Sequence, residues 1–447
     1  MLIVLISFIL NKQIMKNYFI KPIILLLISF VVLSCSSKSE KQITNKEDYQ
    51  SFLIEKENTS LKKINNEIDF WQKKYDNAPN QYTYLISLAS LYSQKFEITG
   101  NIQELYLAEK LLIDCNNRVK GEKAGIHRAI AKNYISQHRF KEALSHLNQA
   151  FELGENKIAT NKMLFDVQME LGNYEEAKQK LTTILDFKDF DYLIRAAKWN
   201  DHIGDLDKAI QLMENAKTIA EQSKNKDLKI WVYSNIADFY GHAGRIEDSY
   251  NYYLKTLEID ASNMYALKGI AWIVFSHERN AEEALQIVDY ISNHHPVPDL
   301  HLLKADIHDF TGNVSEKRNA MNEYYASLEK NNYGDMYNKY NALLYAETSG
   351  EANKAIEIAK KEIENRPTPE SYDLLAWAYY NNGDFDKALK IIENHTIGKS
   401  HEPLIVFHNE TILKANNKLT KENTNKTDLL ASIYELGPNL EASIKRL

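Results

Sequence analysis

Thiolates and imidazoles are the side chains that most readily attack, relay protons or hold metals near neutral pH. This 447-residue chain has few of them in useful places. It contains two cysteines, Cys35 and Cys115. Cys115 closes the run Leu111-Leu112-Ile113-Asp114-Cys115, a setting that suits a small buried apolar side chain better than a reactive thiol. The thirteen histidines are scattered. His294-His295 stands before Pro296 in what reads as a solvated turn, and His202 and His242 fall at equivalent places of adjacent helical segments, where they could be neighbours. No nucleophile elbow, P-loop, dinucleotide fingerprint or H-E-x-x-H helix is present. Among the many Asp and Glu residues no pair stands out. The residues predict no catalysis, no cofactor and no bound metal.

Cys35 has a setting of its own. From Met15 the chain passes Lys16 and Lys21, enters an apolar run from Ile23 to Leu33, and reaches Ser34-Cys35. A basic start and a short apolar core have the form of an export signal. The run falls short of the roughly 20 residues that cross a bilayer, although an uncleaved anchor is the alternative reading. Val32-Leu33-Ser34-Cys35 resembles the lipobox of bacterial lipoproteins, with Val where Leu is more usual. The resemblance implies cleavage before Cys35, acylation of its thiol, and a lipid-anchored place in the cell envelope, at the outer membrane. Leu2 to Leu10 is apolar beyond what such a signal needs, which points to Met15 as the start of translation. Ser36 to Glu47 is polar and aperiodic and reads as a flexible tether, about 20 Å across on average.

The rest of the chain is organised by a repeat. Gly, a polar residue, an apolar residue, two polar residues and a small residue recur as Gly172…Ala177, Gly204…Ala209, Gly244…Ser249, Gly350…Ala355 and Gly383…Ala388. Weaker copies are His138…Ala143 and Gly312…Lys317. With Ala108 and Ala284 the small-residue column has nine members at 32- to 40-residue spacing. A second small residue lies twelve positions earlier in most copies, as in Ile130-Ala131-x-x-Tyr134, Ile236-Ala237-x-x-Tyr240 and Leu375-Ala376-x-x-Tyr379. Apolar residues at i, i+3, i+4 and i+7 give one stripe on each side of the Gly turn. The two small residues then sit where paired helices cross and let the backbones approach. In the first copy Ala89 and Ala108 are nineteen apart, and the extra seven residues around Ile98 to Gln103 read as a longer turn. The copy at Ala284 has one extra turn residue. Phe165, Leu343 and Lys317 depart from the small-residue rule.

A period near 34 with this pattern resembles the tetratricopeptide repeat family. The resemblance runs from about Gln81 to His395 and implies an all-α fold, a right-handed superhelix of antiparallel helix pairs with helical caps. The expected layout is a signal over 1–34, a lipidated tether over 35–48, capping helices over 49–80, about nine repeats over 81–397, and a degenerate helix pair over 398–447.

In that family the first helix of each pair lines a concave groove. Carried onto this chain, the groove positions are charged early, with Arg128, Lys132, Lys162, Asp166, Lys198, Asp201 and Asp238. Later they are aromatic, with Trp231, Tyr265, Trp272, Phe275, Tyr337, Tyr340, Trp377 and Tyr380. Exposed aromatics commonly anchor partners, although Trp231, Tyr265 and Tyr337 could equally pack on the preceding unit. Some members of the family clamp a C-terminal carboxylate with a Lys and Asn set; Asn235 fits one position and no flanking set accompanies it. The net charge of −7 comes from intermixed Lys and Glu, which gives no nucleic-acid footprint. The expected function is non-enzymatic: an envelope lipoprotein that binds a protein or peptide in its concave surface, touching the membrane through its acyl anchor. Glycan capture is the second reading, by resemblance to SusD-like lipoproteins, whose long insertions this chain lacks.

Overall fold

The computed structural model describes residues 42–54 and 58–447. The export segment and Cys35 lie outside the described residues. From Ile43 onward the chain forms one unit, and its described residues contain helices and no strand. A short helix α1 (Lys46–Tyr49) and a longer α2 (Thr59–Asn77) come first. Nine helix pairs follow: α3 (Thr83–Thr99) and α4 (Ile102–Arg118), α5 (Ala124–Ser136) and α6 (Phe140–Leu153), α7 (Lys157–Glu170) and α8 (Tyr174–Thr183). Next come α9 (Phe190–His202) and α10 (Leu206–Gln222), α11 (Lys226–His242) and α12 (Ile246–Ile259), α13 (Met264–Trp272) and α14 (Ala281–His294). The last three are α15 (Pro298–Phe310) and α16 (Val314–Lys330), α17 (Asn338–Glu347) and α18 (Ala352–Asn365), α19 (Pro369–Asn381) and α20 (Phe385–His395). The chain ends with α21 (Pro403–Ala415) and the short α22 (Lys426–Ala431), α23 (Ile433–Leu436) and α24 (Glu441–Lys445).

The small-residue column does what its spacing predicts. Ala108, Ala143, Ala177, Ala209, Ser249, Ala284, Ala355 and Ala388 are all 0% exposed. Lys317, the departure, cannot be buried without a partner; its ammonium turns out to Asp309 at 2.9 Å. Pro298, Pro369 and Pro403 each stand at the first position of a helix, where the missing N–H costs nothing. Cys115 is buried, burial pushes its thiol up to about 11, and its Sγ lies 3.6 Å from the Tyr82 carbonyl.

Four expectations are corrected. The seven extra residues in the first copy form no long turn: α3 and α4 meet across Gly100-Asn101. Seven residues are close to two helical turns, so the insertion lengthens the pair without rotating its apolar stripe. The extra residue before Ala284 is absorbed as a π-helical turn, Ile273–His277, that continues α13. Residues Ile43 to Glu47, expected in the tether, are docked: the Ile43 and Thr44 amides donate to Glu278 Oε1 at 2.7 and 2.6 Å. Tyr49 is buried, with its hydroxyl donating to Glu283 at 2.5 Å. Finally, the C-terminal region is one helix and three short ones, not a pair.

The pairs also stack on pairs about six further along. The His295 Nδ1 lies 2.9 Å from the Ile98 carbonyl, 197 residues earlier. The Tyr106 hydroxyl donates to the Asn332 carbonyl and Lys141 to the Glu364 carbonyl, spans of 226 and 223 residues. Ile102 and Leu105 share an apolar cluster with Tyr324, Tyr333 and Tyr337. Successive superhelical turns therefore touch, and His294-His295 is not a solvated pair: His295 is part of the junction, and His294 Nδ1 sits 2.7 Å from the Tyr290 carbonyl.

Candidate partner-binding cleft

Four of the early charged groove positions, Arg128, Lys162, Asp166 and Lys198, are held by neighbouring groups. Lys162 reaches Asp189 and Asp191 at 2.5 and 2.9 Å, Arg195 meets Asp166 at 2.6 Å, and Lys198 meets Glu170 at 2.8 Å. Arg128 donates to the Glu155 carbonyl at 2.7 Å. These bonds run between adjacent first helices and zip the pairs together. His202 lies against Tyr174, ring centres 4.1 Å apart and planes tilted by 33°. Among the described residues no group of three or more His, Cys, Asp or Glu could hold a metal ion.

The eight aromatics do not share one hollow. Phe275 is buried in the core of the sixth pair, in the π-helical turn. Tyr337 is buried at the junction between turns, its hydroxyl 3.4 Å from Asp299. Trp377 is 7% exposed. Its ring is stacked 3.9 Å from His408 and 5.0 Å from Tyr380, and its Nε1 donates to Glu347 at 3.2 Å. Phe275, Tyr337 and Trp377 are thus packing residues: a first-helix position faces a groove only where nothing lies across it, and here the next turn and the C-terminus do. Tyr380 is half-buried beneath Phe385. Tyr340 remains 41% exposed.

Trp272 is half-covered by the chain's own C-terminus. Its Nε1 donates to the Tyr434 carbonyl at 2.9 Å, and Ser276 Oγ donates to the same oxygen at 2.6 Å. The Tyr434 ring lies against Gly241, where a Cβ would stand 2.8 Å from it, and Gly437 lies over the Trp272 ring. Asn439 donates to the Asp306 carbonyl at 2.9 Å. On its other side the segment buries Leu429 and Ile444 against the last pairs. It is a plug across the first helices of the fifth to seventh pairs. Sequence reasoning read this stretch as an end cap; nothing local in Ile433 to Leu440 signals contacts with residues 133 to 162 positions earlier.

What the plug leaves open is a cleft of about 990 Å³ beside it. Its floor is the first helices of the fifth and sixth pairs, with Trp231, Asn235, Tyr265 and Lys268. Its walls are α2 and α3, with Lys63, Glu67 and Glu97, and the connector into α15 with that helix's first turn, giving His295 and Asp299. Trp231 is 40% exposed and packs edge-on against Phe190 at 5.7 Å; Tyr265 is 54% exposed. The Tyr265 hydroxyl donates to Asp238 at 2.5 Å, and Tyr253 donates to the same carboxylate. Burial holds the Asp238 carboxyl above its ordinary value, against the pull of those two donors. Burial would lower Lys268, but Asp299 at 2.5 Å outweighs it and leaves the ammonium raised. Tyr265 and Lys268 also line a smaller hollow of about 270 Å³ that reaches Trp272 and Tyr434. Of the eight aromatics, the structure brings Trp231 and Tyr265 together in the cleft. Glu97, Asp227 and Asp260, which also line it, were not singled out in the sequence; Glu97 is on α3, which comes alongside only through the stacking of turns.

Residues 369–394 match the family model described as "Tetratricopeptide repeat". No curated protein matches the sequence. Similar solved structures include human IFIT1 as a dimer with PPP-AAAA, at 13% identity, covering 80% of this chain and 96% of that one, TM-score 0.45. Yeast Tom70 is similar at 13% identity, covering 86% and 99%, TM-score 0.34. A tetratricopeptide repeat protein from Parabacteroides merdae is similar at 14% identity, covering 65% and 98%, TM-score 0.33. The fold is an all-α solenoid of the tetratricopeptide type.

Proposed function

We propose that this chain is a non-enzymatic scaffold of the bacterial envelope, anchored through Cys35, that binds a protein or peptide partner in the cleft floored by Trp231 and Tyr265. One observation carries the binding site. Two large aromatics stay exposed inside a concave space of about 990 Å³, while Phe275, Tyr337 and Trp377 are packed, Trp272 is half-covered, and Tyr340, though exposed, does not line that space. Pockets of 300–1,000 Å³ with a few convergent polar groups are the usual form of a ligand site, and aromatic anchors usually dominate interface energy. The anchor is supported by the basic start, apolar run and Ser34-Cys35 of the export segment.

Site-directed photocrosslinking in intact cells tests the binding site. A photoreactive residue at Trp231 or Tyr265 should capture a partner that the same residue at Val314, exposed elsewhere, does not. Equal capture from all three positions would overturn the cleft. Cys35→Ala should abolish acyl labelling; a labelled variant would overturn the anchor.

A further inference from the structure

We infer that the occupant of this cleft is an extended cationic segment, a stretch of another protein with several Lys or Arg side chains. The inference rests on the cleft being a partner site and adds the chemistry of what enters it.

The first observation is charge. Five carboxylates line the cleft, Glu67, Glu97, Asp227, Asp260 and Asp299, against two ammonium groups, Lys63 and Lys268. Lys268 is held by Asp299 at 2.5 Å, and Lys63 lies 3.9 Å from Glu67. The remaining imidazole, His295, lies against the Ile98 carbonyl, and burial lowers its pKa. Subtracting two positive from five negative groups leaves three carboxylates in excess. Glu97 and Asp227 are exposed at opposite sides of the opening. The adjoining hollow adds Asp238 and Glu435 behind Tyr265.

The second observation is independent of charge: the floor is aromatic. The faces of Trp and Tyr rings attract ammonium and guanidinium groups, most strongly where water is partly excluded. An anionic or purely apolar occupant would use the aromatics but meet the carboxylates unpaired, a heavy cost in a concave site. A cationic occupant uses both. The shape favours an extended chain, because the site is a cleft between α2 and α3 on one side and α11 and α13 on the other.

The test uses the full-length protein in detergent and a fluorescein-labelled nonapeptide of alternating Lys and Ala, read by anisotropy. The Lys peptide should bind. The double variant Glu97→Gln/Asp227→Asn should weaken it tenfold or more, and Trp231→Ala separately by a similar factor. Asp260 is left alone because its carboxylate caps Ser262 at 2.7 Å. The control Asp207→Asn/Glu282→Gln removes two exposed carboxylates outside the cleft and should change affinity less than twofold. Equal weakening by the control would show diffuse attraction and overturn the proposal. If a Glu-Ala or Ser-Ala nonapeptide binds instead, and Trp231→Ala abolishes it, the cationic occupant falls while the partner cleft stands. If no peptide binds and photocrosslinks from Trp231 capture nothing, the cleft falls as well.

Discussion

Arg366 places Nη1 3.3 Å from Glu170, 196 residues earlier, while its Nε holds Glu362 at 2.5 Å on its own side of the gap. One guanidinium thus joins the third pair to the connector between the eighth and ninth. Glu362 is buried and also accepts from Asn338 at 3.0 Å, and Glu170 is shared with Lys198. The fork of Arg suits such a bridge because it binds two carboxylates in fixed directions.

Arg366→Met should therefore loosen the contact between superhelical turns. The loss is about 2 kcal/mol, the range for hydrogen bonds to charged groups when one partner is left buried. Urea unfolding reads the energy, and small-angle scattering should show a larger radius of gyration in the variant. Unchanged stability and radius would mean the bridge is incidental.

Gly100 makes the same contact by backbone. It has φ +67°, and a Cβ there would lie 2.2 Å from Val297 Cγ1. Gly312 has φ +70° with nothing within 4 Å. Gly312→Ala should cost only the left-handed conformation, roughly 1 kcal/mol. Gly100→Ala adds the clash, and overpacking costs about 1–3 kcal/mol more. The difference in unfolding free energy between the two variants isolates the turn-on-turn contact, and equal costs would argue against it.

These two sites show where sequence reading reaches and where it stops. The small-residue column and the Gly turns are local: each follows from helix geometry within about 40 residues, and each was legible. The pairing of Gly100 with Val297, or Glu170 with Arg366, depends on small rotations between units summed over about six of them. No local pattern encodes that sum. The same limit governed the groove. Helical phase put Trp231, Trp272 and Trp377 on equivalent faces, but the contact that covers Trp272 comes from Tyr434, and His408 covers Trp377. The cleft survives at Trp231 because nothing described lies across it.

Trp377 and Trp231 should behave as opposites. Trp377→Ala removes a nearly buried ring from between His408 and Tyr380 and should cost about 3–5 kcal/mol, as for other buried aromatics. Trp231→Ala removes a ring that is 40% exposed, with its main contact at Phe190. Its cost should stay near 1 kcal/mol while peptide binding is lost. Thermal melting of the two variants side by side checks this. A stable Trp377→Ala protein would restore that residue to the groove.

The pair His127 and His146 should give the protein a specific acid sensitivity. Their Nδ1 atoms lie 2.8 Å apart, and His127 Nε2 lies 3.0 Å from the Gly121 carbonyl. A carbonyl only accepts, so His127 Nε2 carries the proton and its Nδ1 offers a lone pair to the N–H of His146 Nδ1. Burial, with a smaller contribution from His127, lowers the pKa of His146 below its ordinary 6.5. A lowered folded-state pKa means the unfolded chain binds the proton more readily. The contribution to stability is therefore full above about pH 6.5 and is lost as pH falls through the window below it. The wild type should lose stability from pH 7 to pH 5 more steeply than His146→Gln, whose amide cannot titrate but can still donate to His127. Urea unfolding at constant ionic strength gives both curves, and their difference removes the other histidines that share this window. Parallel curves would show that His146 does not titrate with folding.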